Sequence, residues 1–367
     1  MKKENALKIL TIASAVLLAF SLTYIFADKI QVITVFHDNE RSEKNIAMKE
    51  TPSPENKSAI VNSPETMPVL SQPDFYRGIY LMNATVLNTK KVDAFIAKAK
   101  LYQVNVFVID TQTYQFHEKA IPPATIRKIK AAGIWPVARV VVFNRGFDHY
   151  PVPHSLKQSR IDIAKRAIQA GFQEIQFDYI RFADNGHLGH VGLQERYGVV
   201  EGFLKEAKTQ LKPMNVVISA DIFGRIPLNK QDRIGQKMEG LAPIVDIIAP
   251  MAYPSHYTWS KKYYTDPYYT VFTTSEQGKK RAGENAKIVS WIQGFRLKWE
   301  HRVVKMGLVD YIVAQIKASE DAGIKGFMVW NASQQYEPTW KAMDIYYNKK
   351  KNTPVSMEKS KSPVPGT

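Results

Sequence analysis

The chain has 367 residues, 45% of them hydrophobic and 23% charged, which supplies apolar material for one large core. It has no cysteine, which excludes a disulfide framework, a lipoprotein attachment site, a thiolate metal ligand and a cysteine nucleophile. Fifty Lys+Arg against 34 Asp+Glu give a net charge of +16, a balance that draws a protein towards anionic surfaces or polymers.

Lys2, Lys3 and Lys8 precede an almost uncharged run from Ile9 to Phe26, the order of a secretory n-region and h-region. The run is about as long as the roughly 20 residues that span a bilayer. Tyr24-Ile25-Phe26-Ala27 is a poor cleavage site, so residues 1–27 read as an uncleaved signal anchor in preference to a cleaved signal peptide. Lysines before the run place the rest of the chain outside the cytoplasm, membrane-anchored, or secreted if the segment is cleaved. Residues 28–74 are rich in Pro, Ser, Glu, Asn and Lys, as in "TPSPENKSAIVNSPETMPVLSQP", and read as a disordered spacer. For an exported chain the basic excess suits anionic wall polymers or lipid head groups; no nucleic-acid motif is present.

From residue 75 onwards short β-branched or aromatic runs alternate with helical patterns, the signature of βαβ units and a parallel sheet. Strands are expected at 77–83, 104–110, 135–143, 174–182, 215–221, 245–253, 287–295 and 325–331. Between them lie helical stretches such as "TKKVDAFIAKAKLYQ", "PATIRKIKAAG", "SRIDIAKRAIQAG" and "LVDYIVAQIKASEDAG", several closed by the Gly expected past a helix C-terminus. A final "PTWKAMDIYYNKK" supplies the eighth helix. Eight alternating units make the fold class α/β, a single (β/α)8 TIM barrel over residues 75–349, followed by a disordered basic tail at 350–367. The rival, an open doubly wound sheet, lacks its Gly-rich turn after the first strand.

In such a barrel the active site lies where strands end and βα loops begin. Asp110, Asp178 and Asp221 stand at those ends. Side chains alternate along a strand, so Gln176 and Asp178 share one face while Ile175 and Phe177 share the other. The same parity puts Val217, Ser219 and Asp221 on the inner face of the fifth strand, next to Asp178. Two carboxylates flanking one bond are what glycoside hydrolysis needs: one protonates the leaving oxygen, the other attacks the anomeric carbon or activates water. The competing reading pairs each Asp with Arg139 or Arg181, or uses it as a helix cap. Arg139 faces inwards by parity, and a buried Arg needs an acidic partner. Asp110 is a candidate sugar-hydroxyl ligand. Tyr80, Tyr253, Tyr257 and Trp330, with Asn331 and Arg181, complete the candidate substrate-binding set, because sugars present apolar C–H faces to aromatic rings. For Tyr179 and Trp291 ordinary packing is the better reading. His187 and His190 could ligate a metal as H-x-x-H, but loop histidines are usually just polar, so no metal or other cofactor is expected.

At "RGIYL", "FDYIRF" and "IIAPMAYPSHY" the chain resembles a bacterial family of glycosyl-hydrolase-like TIM barrels of unknown function, over residues 75–347. The resemblance implies the TIM fold and kinship with glycoside hydrolase barrels. α-Amylase-like and α-galactosidase-like barrels similarly carry a nucleophilic Asp at the end of the fourth strand, where Asp178 stands; α-amylase-like enzymes place their acid after the fifth, where this chain has Asp221. "APMAY" and "GFMVW" are similar to chitinase-like strands, but the acid that family needs two positions beyond Asp178 is Ile180 here. Gln293 stands where many retaining barrels keep a glutamate. The expectation is therefore a glycosidase of an envelope or extracellular polysaccharide. The rivals are a non-catalytic glycan-binding barrel and a metal-dependent sugar deacetylase.

Overall fold

A computed structural model of the protein describes residues 67–144, 146–184 and 188–348. The expected anchor, the spacer up to residue 66, the basic tail and His187 lie outside the described residues. Among the described residues, no helix is long and apolar enough to cross a membrane, and no group of three or more His, Asp or Glu is arranged to hold a metal ion.

Eight parallel strands close into a barrel: β1 Tyr76–Leu81, β2 Val106–Asp110, β3 Trp135–Val141, β4 Glu174–Asp178, β5 Val217–Phe223, β6 Ile247–Met251, β7 in two segments, Lys287–Ile288 and Ser290–Gln293, and β8 Gly326–Trp330. Each pairs with the next, and β8 returns to β1 with Tyr76 opposite Gly326 and Ile79 opposite Val329. The principal helices follow their strands: α1 Thr89–Leu101, α2 Pro123–Ala131, α3 His154–Gln169, α4 Leu193–Leu211, α5 Met238–Leu241, α6 Pro267–Ala282, α7 Leu308–Asp321 and α8 Glu337–Met343. All eight expected strands are present. α5 is only four residues long, so most of the link from β5 to β6 is loop.

The barrel closes at a glycine. Gly326 has φ +133°, and a Cβ there would lie 2.3 Å from the Tyr76 carbonyl oxygen. Gly326→Ala therefore combines a disfavoured backbone with a main-chain clash at the β8–β1 seam. It is expected to cost about 2 kcal/mol or more, measurable as a lowered urea midpoint.

Strand alternation divides the core in two. Ile175, Phe177, Ile218 and Ala220 point to the helix layer, whereas Val106, Val108, Val137, Ile247, Ala249, Val289, Trp291 and Met328 fill the barrel. The floor is polar as well as apolar. Glu174 accepts hydrogen bonds from Tyr76 Oη (2.7 Å) and Trp135 Nε1 (2.8 Å), and burial pushes its carboxyl above the usual range. Leu70, just before β1, exchanges two hydrogen bonds with the Gln173 side chain and packs beneath this floor.

One strand end differs from expectation for a local reason. β4 stops at Asp178 and does not run on to 182, because Tyr179 enters the left-handed region at φ +54°. That turn points the Tyr179 N–H at the Asp178 carboxylate, 2.6 Å from Oδ1.

Candidate active site

Six of the candidates, Tyr80, Asp110, Arg139, Asp178, Asp221 and Trp330, lie at or near the C-terminal ends of their strands, with Tyr253 and Asn331 just beyond β6 and β8. At the centre is Arg139, on the inner face of β3. Its Nη1 donates to Asp110 Oδ1 at 2.6 Å; its Nη2 and Nε both donate to Asp178 Oδ2, at 2.6 and 3.0 Å. The register makes this arrangement unavoidable, since Asp110 is opposite Arg139 and Val141 is opposite Asp178. A guanidinium fork spans two carboxylates where an ammonium could not.

Asp178 is thus gripped at both oxygens, by Arg139 at one and the Tyr179 N–H at the other. Asp110 also accepts from Tyr80 Oη at 2.5 Å. Burial raises the Asp110 carboxyl, against the pull of Arg139 and Tyr80.

Asp221 is different. With Phe177 opposite Ala220, the next rung sets Asp178 beside Asp221. Asp221 is buried and accepts its hydrogen bond from Trp291 Nε1 at 2.7 Å, with no direct arginine contact. Burial first, and the Asp178 charge second, push its carboxyl well above the usual range; Arg139 and the Trp291 N–H oppose this without cancelling it. One guanidinium faces three neighbouring carboxylates, and the environment of Asp221 favours its protonated form.

The aromatic surroundings are layered on this charge cluster. Trp330 is half-buried, with its ring centroid 4.2 Å from that of Tyr80 and edge-on to Trp291 at 5.8 Å. The Arg139 guanidinium lies 5.3 Å from the Trp330 ring and 5.8 Å from that of Tyr80. Tyr253 is buried beside the acids; burial, then the charges of Asp221 and Asp178, raise its hydroxyl well above its ordinary range, so it is a hydrogen-bond donor at neutral pH.

Three candidates serve the scaffold. Tyr257 is buried, stacked on Tyr263 at 5.3 Å, with its hydroxyl 2.8 Å from Thr274 on α6. Tyr257→Phe is expected to cost about 1 kcal/mol in a denaturant melt. Asn331 donates to the Gly294 and Gln335 carbonyls and accepts from Ser333, which leaves its amide occupied in shaping the β8 loop. Arg181 lies over the Phe223 ring at 4.5 Å and pairs with Asp184 at 3.3 Å, so Asp178 is served by Arg139 and not by Arg181.

The two departures from familiar barrels also have physical readings. Ile180 is fully buried in the helix-side core, away from the mouth. Gln293 donates to both oxygens of buried Glu300 and accepts from the Ser255 N–H, tying together the loops after β6 and β7. Sequence reasoning passed over Trp291, the partner of Asp221. Its parity with Val289 on the inner face of β7 was the available signal.

A closed (β/α)8 barrel with inward carboxylates and aromatic rings at the strand C-termini is an arrangement on which glycoside hydrolysis can be built. The chain belongs to the family described as "Putative glycosyl hydrolase domain", whose model matches residues 147–336. No curated protein sequence matches it. Among solved structures it is similar to the glycoside hydrolase domain of PgaB (BpsB) from Bordetella bronchiseptica, with TM-score 0.54, 10% identity, and 74% of this chain and 98% of that chain covered. It is likewise similar to the endo-beta-1,4-mannanase from Thermotoga petrophila, with TM-score 0.54, 13% identity, and coverage of 74% and 76%. The spore cortex-lytic enzyme SleL from Bacillus cereus gives TM-score 0.51, 13% identity, and coverage of 75% and 75%. At these identities the likeness is one of fold.

Proposed function

We propose that the protein is a glycoside hydrolase of an envelope or extracellular polysaccharide, in which Asp221 is the general acid and Asp178 the nucleophile or general base. The observation that carries this reading is the unequal environment of two adjacent carboxylates. Asp178 is held at both oxygens by hydrogen-bond donors, the Arg139 guanidinium at one and the Tyr179 backbone N–H at the other. Asp221 is buried against an indole and beside a negative charge, which favours the protonated form. Glycosidic cleavage uses two adjacent carboxyls in unlike environments, one to give a proton to the leaving oxygen and one to attack or to activate water. Trp330, backed by the buried Tyr80 ring, would receive a sugar face, and Tyr253 would donate to a hydroxyl. In this reading the barrel works outside the cytoplasm, tethered by residues 1–27.

A second reading has its own support. Asp178 and Asp221 are only 5% and 2% exposed, and both oxygens of Asp178 are already engaged. A barrel that binds glycans at its rim without cleaving them would look like this. Screening the protein against envelope and extracellular polysaccharides, with Asp178→Asn and Asp221→Asn in parallel, separates the two. Release of reducing ends by wild type alone supports hydrolysis; equal release by all three proteins removes the mechanism. Binding without release in all three favours the second reading.

A further inference from the structure

The opposite end of the barrel carries a second feature. On the loops that lead into β7 and β8, a groove of about 480 Å³ opens between α6 and the strand N-termini. Its floor is aliphatic, made by Ala286, Ile288 and Ile324, and its walls carry Lys279, Lys280, Lys287 and Lys325. These cations come from three places: the last turn of α6, the first residue of β7 and the residue before β8. The negative end of a helix accounts for Lys279 and Lys280, but not for lysines converging from two other elements.

Elsewhere some surface lysines meet acids, as in Lys98–Glu337, Lys128–Asp93, Lys157–Glu206 and Lys317–Asp321, and others form no ion pair among the described residues, so what sets this groove apart is the convergence of four lysines on one concavity. Among the described residues Lys279, Lys280 and Lys325 form no ion pair. Lys287 has only Glu284 at 3.7 Å, whose side chain is fully exposed. Asp74 also lines the groove, so four positive charges face two negative ones. The strand N-terminal face of such barrels ordinarily serves stability, and unpaired like charges gathered there do not serve it.

We propose that this groove binds a linear phosphodiester polymer with an aliphatic or sugar backbone, of the anionic wall-polymer type, independently of the chemistry at the other end. Ammonium groups meet phosphates as point charges. An aliphatic floor suits C–H-rich polyol or sugar units. The groove has no aromatic lining residue on which nucleic-acid bases could stack. Its lysines rim a concavity, which a strand of polymer enters and a flat membrane does not.

The test is binding of poly(glycerol phosphate) of defined length to the full chain by titration calorimetry, at low and at high salt. The expected result is salt-sensitive binding, weakened at least tenfold in the combined variant Lys279→Gln, Lys287→Gln, Lys325→Gln, whose thermal melt matches wild type. The variant Lys350→Gln, Lys351→Gln, Lys359→Gln, which thins the basic tail, binds as wild type does. No binding by wild type overturns the proposal, as does equal binding by the groove variant. So does wild-type binding of oligo(dT) or phosphatidylglycerol vesicles as tight as that of the polymer and lost in the same groove variant.

Discussion

Asp221→Asn lowers kcat on an unactivated glycosidic bond by about 10²–10⁴-fold, the contribution expected of a general acid. On an aryl glycoside with a good leaving group, such as dinitrophenol, the loss is far smaller, because that departure needs no proton. Asp178→Asn behaves oppositely and impairs both substrates. The same assignment fixes a pH limb. Asp221 must be protonated to act, and burial with the Asp178 charge raises its carboxyl well above the usual range. Activity therefore falls as pH rises through that raised value, and the alkaline limb disappears in Asp221→Asn assayed on the activated substrate. Stability follows the same sign. A carboxyl whose folded pKa is raised contributes most below its unfolded pKa of about 3.9, and the contribution is lost as pH rises through the folded value. Asp110, Glu174 and Glu300, all raised chiefly by burial, act in the same direction. Urea midpoints of wild type and Asp221→Asn across pH should accordingly diverge towards alkaline pH, with the variant the more resistant. Parallel midpoints would mean that Asp221 holds no proton to lose.

The strands were readable because a barrel strand buried on both faces is a continuous β-branched or aromatic run, and eight such runs leave few architectures. Parity then identified the inward set Arg139, Asp178 and Asp221, since a period of two needs no tertiary information. What escaped detection depends on contacts distant in sequence. Trp291 gains its role only because β7 brings its indole to Asp221, 70 residues away. Tyr257 reads as a sugar platform from its position after β6, yet α6 offers Thr274 to its hydroxyl and the ring turns inwards. β4 ends earlier than expected because the aromatic and β-branched residues of "FDYIRF" favour a strand on both sides of Asp178, whereas the Tyr179 turn goes with its N–H bond to Asp178, which propensity does not report.

Arg139→Met is the substitution expected to damage the fold most. It removes the one cation shared by Asp110 and Asp178 while Asp178 remains buried and Asp110 largely so. Breaking a buried ion pair by deleting one partner costs about 3–5 kcal/mol, because the surviving charge has neither water nor partner. In a domain of this size that is a fall in melting temperature of roughly 10 °C. Arg139→Lys recovers part of the loss, since an ammonium can meet one carboxylate but not fork across two. Adding Asp110→Asn and Asp178→Asn to Arg139→Met removes the uncompensated charges and restores most of the stability, though not activity. Scanning calorimetry of the four proteins decides the matter. If Arg139→Met melts with wild type, the guanidinium does not balance the charge of these carboxylates, and the roles proposed for Asp178 and Asp221 lose their basis. If the triple variant is no better than Arg139→Met alone, the damage comes from lost packing of the guanidinium against Tyr80 and Trp330 and not from charge.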